Sequence, residues 1–142
     1  MNVAVIYESL TGNTRRAAVL IGEELRRRGA SVAVFPVTAI DYQALATSDL
    51  VIVGSWVDGL FVVGQRPGRA SRLRKLPVLD RKRAVVFCTY ALDAGRTLDK
   101  LAAIVEERGA EVLGGMTIRR DRLADGAQDF FDRVLGAVAA PS

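Results

Sequence analysis

Asn2-Val-Ala-Val-Ile-Tyr7 followed by Glu8-Ser-Leu-Thr-Gly-Asn-Thr14 is the stretch on which the fold turns. Its first part is an almost unbroken apolar run of strand length, the pattern of a strand buried on both faces. The second part carries Ser9, Thr11, Gly12 and Thr14, after which apolar residues return at helical spacing as Ala18, Ile21 and Leu25. A strand, a hydroxyl-rich turn and a helix in succession form an anion cradle. The first amides of a helix lack intrahelical partners, and the helix dipole adds positive potential where they point.

The rest of the chain repeats this alternation. Strands are expected at Val3 to Tyr7, Ser31 to Val37, Leu50 to Ser55, Ala84 to Thr89 and Glu111 to Thr117. Between and after them, helical spacing is read over Thr14 to Arg28, Arg96 to Arg108 and Ala127 to Ala139, each with one apolar stripe. Alternating strands and helices build a parallel sheet covered on both faces. Arg28-Gly29-Ala30 and Arg108-Gly109-Ala110 read as helix C-termini, because glycine takes the left-handed cap at little cost. The 142 residues are read as one domain, 1–142, with a loose tail at Ala139-Ala-Pro-Ser142.

The spacing in the first turn excludes two common phosphate binders. A Walker loop needs Gly-Lys followed by Ser or Thr, and a dinucleotide fingerprint needs three spaced glycines; neither occurs here. Ser9-x-Thr11-Gly12-x-Thr14, placed after the first strand, instead resembles the flavin mononucleotide (FMN) loop of the flavodoxin family. The resemblance covers essentially the whole chain, although only this loop is a specific motif. It implies an α/β flavodoxin-like three-layer sandwich: a five-stranded parallel sheet of order 2-1-3-4-5 with helices on both faces. In that topology ligands gather at the carboxyl ends of the strands beside the switch point.

Two further segments fall at that place. After the third strand comes Gly54-Ser-Trp-Val-Asp-Gly59, which holds the only tryptophan. Trp56, read as a loop residue, is suited to stack on a planar ligand, the alternative being a side chain that covers a core edge. After the fourth strand comes Cys88-Thr-Tyr-Ala-Leu-Asp-Ala-Gly95, where the resemblance implies backbone contacts to the flavin edge and makes Tyr90 a candidate for the second ring face. A tyrosine that merely caps the strand is the alternative. The expected FMN-binding set is therefore Ser9, Leu10, Thr11, Gly12, Asn13 and Thr14; Ser55, Trp56, Val57, Asp58 and Gly59; and Thr89, Tyr90, Ala91, Leu92 and Gly95. Asp93 is read as an acidic residue at a helix start. No catalytic residue and no metal ligand are assigned.

Composition narrows the function classes. One cysteine, Cys88, and no histidine exclude a disulfide framework, a histidine-bearing metal site and a Cys-His nucleophile pair. A receiver domain would need an Asp ending the third strand, where Gly54-Ser55 stands, and a low-molecular-weight phosphatase would need Arg six residues after Cys88, where Ala94 stands. No apolar run approaches the ~18 residues of a membrane span, and Met1 leads straight into a strand, so a cytoplasmic protein without a membrane partner is expected. The resemblance implies an electron carrier that shuttles electrons through the flavin between redox partner proteins. An FMN-dependent NAD(P)H:quinone or flavin reductase is the alternative, and a flavodoxin-fold module without flavin is a second.

Two features depart from the family. Carrier flavodoxins are acidic, whereas this chain has 20 Lys and Arg against 16 Asp and Glu. The excess is concentrated at Arg66, Arg69, Arg72, Arg74, Lys75, Arg81, Lys82 and Arg83, opposed only by Asp80. Arg66, Arg69, Arg72, Arg74 and Lys75 are expected to face an acidic docking surface on a redox partner, with a solvated basic face as the alternative. Nucleic-acid binding is not expected, since the segment has no aromatic residue for stacking. The second departure is Val57. The resemblance implies that the peptide after the stacking aromatic turns over on reduction, and a β-branched residue resists the positive φ this requires. A less stabilised neutral semiquinone than in Gly-bearing relatives is expected, unless the turnover falls at Asp58-Gly59.

Overall fold

The computed structural model describes residues 1–58, 66–68, 70–91 and 94–135, with the side chains of Asp58, Arg66 and Ala70 outside the description. In β1 (Asn2–Tyr7), Val3, Ala4, Val5 and Ile6 are all buried, as a strand covered on both faces requires. Alternate residues serve opposite cores. Val3 and Val5 join Leu50, Ile52, Val85 and Phe87 beneath two helices, α1 (Asn13–Arg27) and α5 (Leu123–Phe130). Ala4 and Ile6 join Val51, Val53, Ala84 and Val86 on the other face, where α4 (Thr97–Glu107) contributes Leu101, Ile104 and Val105.

The parallel strands are β1, β2 (Ser31–Pro36), β3 (Leu50–Asp58), β5 (Arg83–Tyr90) and β6 (Glu111–Arg119), hydrogen-bonded in the order β2-β1-β3-β5-β6. Counted along the chain, those five strands have the expected order 2-1-3-4-5, and the architecture is the three-layer flavodoxin-like sandwich. Register passes from Ala4↔Val51 to Val51↔Ala84 to Ala84↔Val112, so the carboxyl ends of β1, β3, β5 and β6 finish along one edge. Between β5 and β6 the register slips by one at Ala84/Val85, which leaves Leu113 as the extra residue of a bulge on the edge strand. Gly29 (φ 93°) and Gly109 (φ 98°) form the two expected left-handed caps.

The structure adds elements that the sequence pattern does not show. Asp41 caps a short helix, α2 (Tyr42–Ala46), by accepting from the Ala44 amide at 3.0 Å. Arg66–Pro67 form β4, an antiparallel partner for Val57 and Asp58, and α3 (Ala70–Leu73) follows. Trp56 and Val57 accordingly extend β3 instead of standing on a loop. The last helix starts at Leu123 and not at Ala127, and runs into a wider π turn over Phe131–Leu135. The early start is hidden in the sequence because Gly126 reads as a breaker. That glycine is a contact point: a Cβ there would meet Ile118 Cγ2 at 2.3 Å. The expected extension to Ala139 and the tail to Ser142 lie outside the described residues.

Candidate functional site

The first turn of α1 is built to leave its amides open. Gly12, at φ 95°, occupies the N-cap position and supplies no side-chain cap, and the first turn contains no acidic residue. In place of a carboxylate it carries Arg15 and Arg16, both exposed. Positive charge at a helix start works against the dipole. The arrangement suits a bound anion. Ser9 shapes the loop, its Oγ accepting from the Gly12 amide at 3.1 Å, while Thr11 Oγ1 accepts from Asn13 Nδ2 at 3.3 Å.

Thr14 is buried, and its Oγ1 lies 2.8 Å from Thr89 Oγ1 at the end of β5. This pair ties the hydroxyl loop to the third expected segment, 75 residues away. Above it opens a cavity of about 180 Å³ lined by Leu10, Thr11, Asn13, Thr14, Trp56, Val57, Thr89, Tyr90, Ala91 and Arg120. Pockets that enclose a drug-sized ligand run from roughly 300 Å³ upward. A planar ligand seated here would keep part of its surface in solvent.

The Trp56 wall is braced from behind. Gly68 donates to the Trp56 carbonyl at 2.8 Å, and Ser55 Oγ donates to the Gly68 carbonyl at 2.9 Å. The indole lies flat against Gly68, where a Cβ would sit only 2.0 Å from Trp56 Cε2. Val57 pairs with Pro67, and Arg81 is the one described non-glycine residue with positive φ, so Val57 is extended.

Nine of the expected site residues meet in this cavity: Leu10, Thr11, Asn13, Thr14, Trp56, Val57, Thr89, Tyr90 and Ala91. Ser9, Gly12 and Ser55 stand behind the walls as supports, Asp58 continues β3, and Gly95 (φ 56°) turns the chain before α4. Gly59, Leu92 and Asp93 lie outside the described residues. Arg120 is the lining residue that the sequence reading missed. Its only signal was the Arg119-Arg120 pair just past a strand end.

The basic segment is only partly free. Arg72 Nη1 donates to Glu8 Oε1 at 3.2 Å, and Glu8 is 3% exposed at the end of β1. That ion pair draws α3 toward the strand ends. Arg74 and Lys75 are exposed, while Arg69 and the side chain of Arg66 fall outside the description. Cys88 is buried beside Thr89, and desolvation pushes its thiol from 9.0 up to about 12. It remains a protonated apolar filler and not a nucleophile. Among the described residues no group of acidic, cysteine or histidine side chains is arranged to hold a metal, and no helix is long and apolar enough to cross a membrane.

A family model described as a flavodoxin domain matches residues 4–134 of the sequence. Comparison with curated proteins gives no match. Among solved structures, two-electron reduced Megasphaera elsdenii flavodoxin is 22% identical with a TM-score of 0.69, the match covering 89% of this chain and 98% of that one. A point mutant of the flavodoxin from Pseudomonas aeruginosa is 15% identical with a TM-score of 0.71, covering 98% and 97%. Rubredoxin oxygen:oxidoreductase from Desulfovibrio gigas is 20% identical with a TM-score of 0.66, covering 97% of this chain and 37% of that larger one. At these identities the structural matches speak for the fold alone.

Proposed function

The chain belongs to the flavodoxin family, and from that premise we propose that it binds FMN in the cavity at the strand ends and carries electrons between redox partner proteins. The observation that carries the reading is the joining of an uncapped, acid-free helix start to a wall of Trp56 and Tyr90 across the Thr14–Thr89 contact. The chemistry of the residues fits the group. The amides of Asn13 and Thr14 and the Thr11 hydroxyl suit a phosphate, while Trp56 and Tyr90 offer planar surfaces to a ring.

Bound there, the flavin would supply the redox chemistry, and the protein would supply binding, orientation and exposure. The α1 dipole and the loop amides would hold the dianionic end, with Arg15 and Arg16 adding positive charge in the same turn. The Gly68 brace fixes the indole plane, which lowers the entropy lost when a ring stacks on it. A shallow cavity leaves a ring edge accessible to a partner. Arg74 and Lys75 provide positive charge for an acidic docking surface, together with whatever Arg66, Arg69 and the half-committed Arg72 add.

The test is direct. The purified protein should be yellow, release FMN on denaturation, and rebind it once the apoprotein is prepared. A colourless protein that takes up no added FMN overturns the reading. Unaided NADPH oxidation with a quinone acceptor would replace the carrier with a reductase. Reduction of the loaded protein by an acidic redox protein should slow steeply with added salt; a salt-independent rate removes the steering role of the basic segment.

A further inference from the structure

Arg120 differs from its neighbour in both partner and position. Arg119 Nη2 donates to Asp121 Oδ2 at 3.1 Å, whereas Arg120 makes no ion pair among the described residues and lines the cavity. The described cavity lining contains no Asp, Glu or Lys, so Arg120 is its one charged residue. The Arg120 amide donates to the Tyr90 carbonyl at 2.9 Å, one step beyond the Tyr90↔Arg119 register pair, which fixes it beside the end of β5. Strands β3 and β5 separate β6 from β1, the strand that leads into the hydroxyl loop. The backbone of Arg120 therefore stands at the Tyr90 and Ala91 end of the cavity, where a ring would lie, separated by two strands from the one that leads into the anion cradle.

We propose that Arg120 is a tuning residue, whose positive charge at the ring end of the cavity favours the reduced, negatively charged flavin over the neutral oxidised ring. The inference rests on the FMN reading above. Two electrons and one proton added to the neutral oxidised ring leave a ring of charge −1, so a nearby fixed cation stabilises the reduced form and leaves the oxidised form almost unaffected. Arg120 is exposed, so water and salt screen the effect. A three- to tenfold preference is expected at low salt, and tenfold corresponds to ~30 mV for a two-electron couple.

The experiment compares wild type, Arg120→Gln and Arg119→Gln. For each, binding of oxidised FMN and of dithionite-reduced FMN is titrated at low and high salt, and thermal melting confirms that the variants are folded. The expected result is a three- to tenfold loss confined to the reduced form in Arg120→Gln, shrinking at high salt and absent in Arg119→Gln. Equal weakening of both forms would place the guanidinium on the phosphate and overturn the proposal. So would an unchanged ratio, or the same change in Arg119→Gln, which would mark a field of net charge and not a site. Wild-type protein that binds neither form overturns the flavin reading itself, a result separable from all of these.

Discussion

Two walls of one cavity are held over different distances along the chain. The hydroxyl loop is shaped from within: Ser9 reaches Gly12, Thr11 reaches Asn13, and Gly12 turns the chain into α1, all within Ser9 to Thr14. The Trp56 wall depends on Gly68, which holds it by a backbone bond, by the Ser55 hydroxyl and by contact with the indole. A wall built locally survives changes elsewhere in the chain. One braced from a distance fails when its brace fails.

The largest effect should come from Gly68→Ala, which places a methyl inside the indole and forces Trp56 from its seat. Overpacking of this kind costs about 1–3 kcal/mol. A lowered Tm with a shifted Trp56 emission spectrum is expected, and unchanged emission would show that the brace does not set the ring. Thr14→Val breaks the seam between the walls and leaves the Thr89 hydroxyl buried without its partner. Equilibrium denaturation should show a loss of about 1–3 kcal/mol, with weaker FMN binding beside it. Gly12→Ala strains only the local wall, because space is open around a Cβ there while φ is 95°. The left-handed conformation costs a non-glycine residue roughly 1–2 kcal/mol, and Trp56 emission should be unaffected.

Cys88 gives the most condition-dependent effect, one that is absent near neutral pH. It pairs in register with Ser55, beneath the meeting of the walls. Burial raises its thiol from 9.0 to about 12 in the folded protein. Its contribution to stability is thus constant below pH 9 and declines as pH rises from 9 toward 12, where an unfolded chain ionises and the folded one does not. The decline approaches about 1.4 kcal/mol per pH unit. Cys88→Ala should show a flatter stability profile above pH 9 than wild type, and parallel profiles would assign the alkaline loss to other groups.

The same contrast in distance governs what could be read from sequence. The alternation of strands and helices, the two glycine caps and the hydroxyl loop follow from local pattern, because apolar runs, spacing and turn residues state them within a few neighbours, whereas the order of the strands in the sheet is non-local and was implied by the family resemblance. Trp56 was visible as a candidate ring platform, but its place in an extended strand was not, since that depends on Arg66–Pro67 returning to pair with it. Arg72 looked like a free surface cation until β1 and α3 brought it against Glu8. Arg120 was marked only by its pairing with Arg119 in sequence, because its place in the cavity lining comes from the end of β6 lying beside the end of β5.

The bulge at Leu113 bears on how copies of the chain meet. Strand β6 closes one side of the sheet, and an unbroken outer ladder there would offer its unpaired amides and carbonyls to any extended segment in solution. The slip at Leu113 divides that ladder into two short stretches that are out of phase with each other. A second strand in regular register can match one stretch or the other, but not both. Among the described residues the sheet ends at β6, and a strand added there meets an interrupted template.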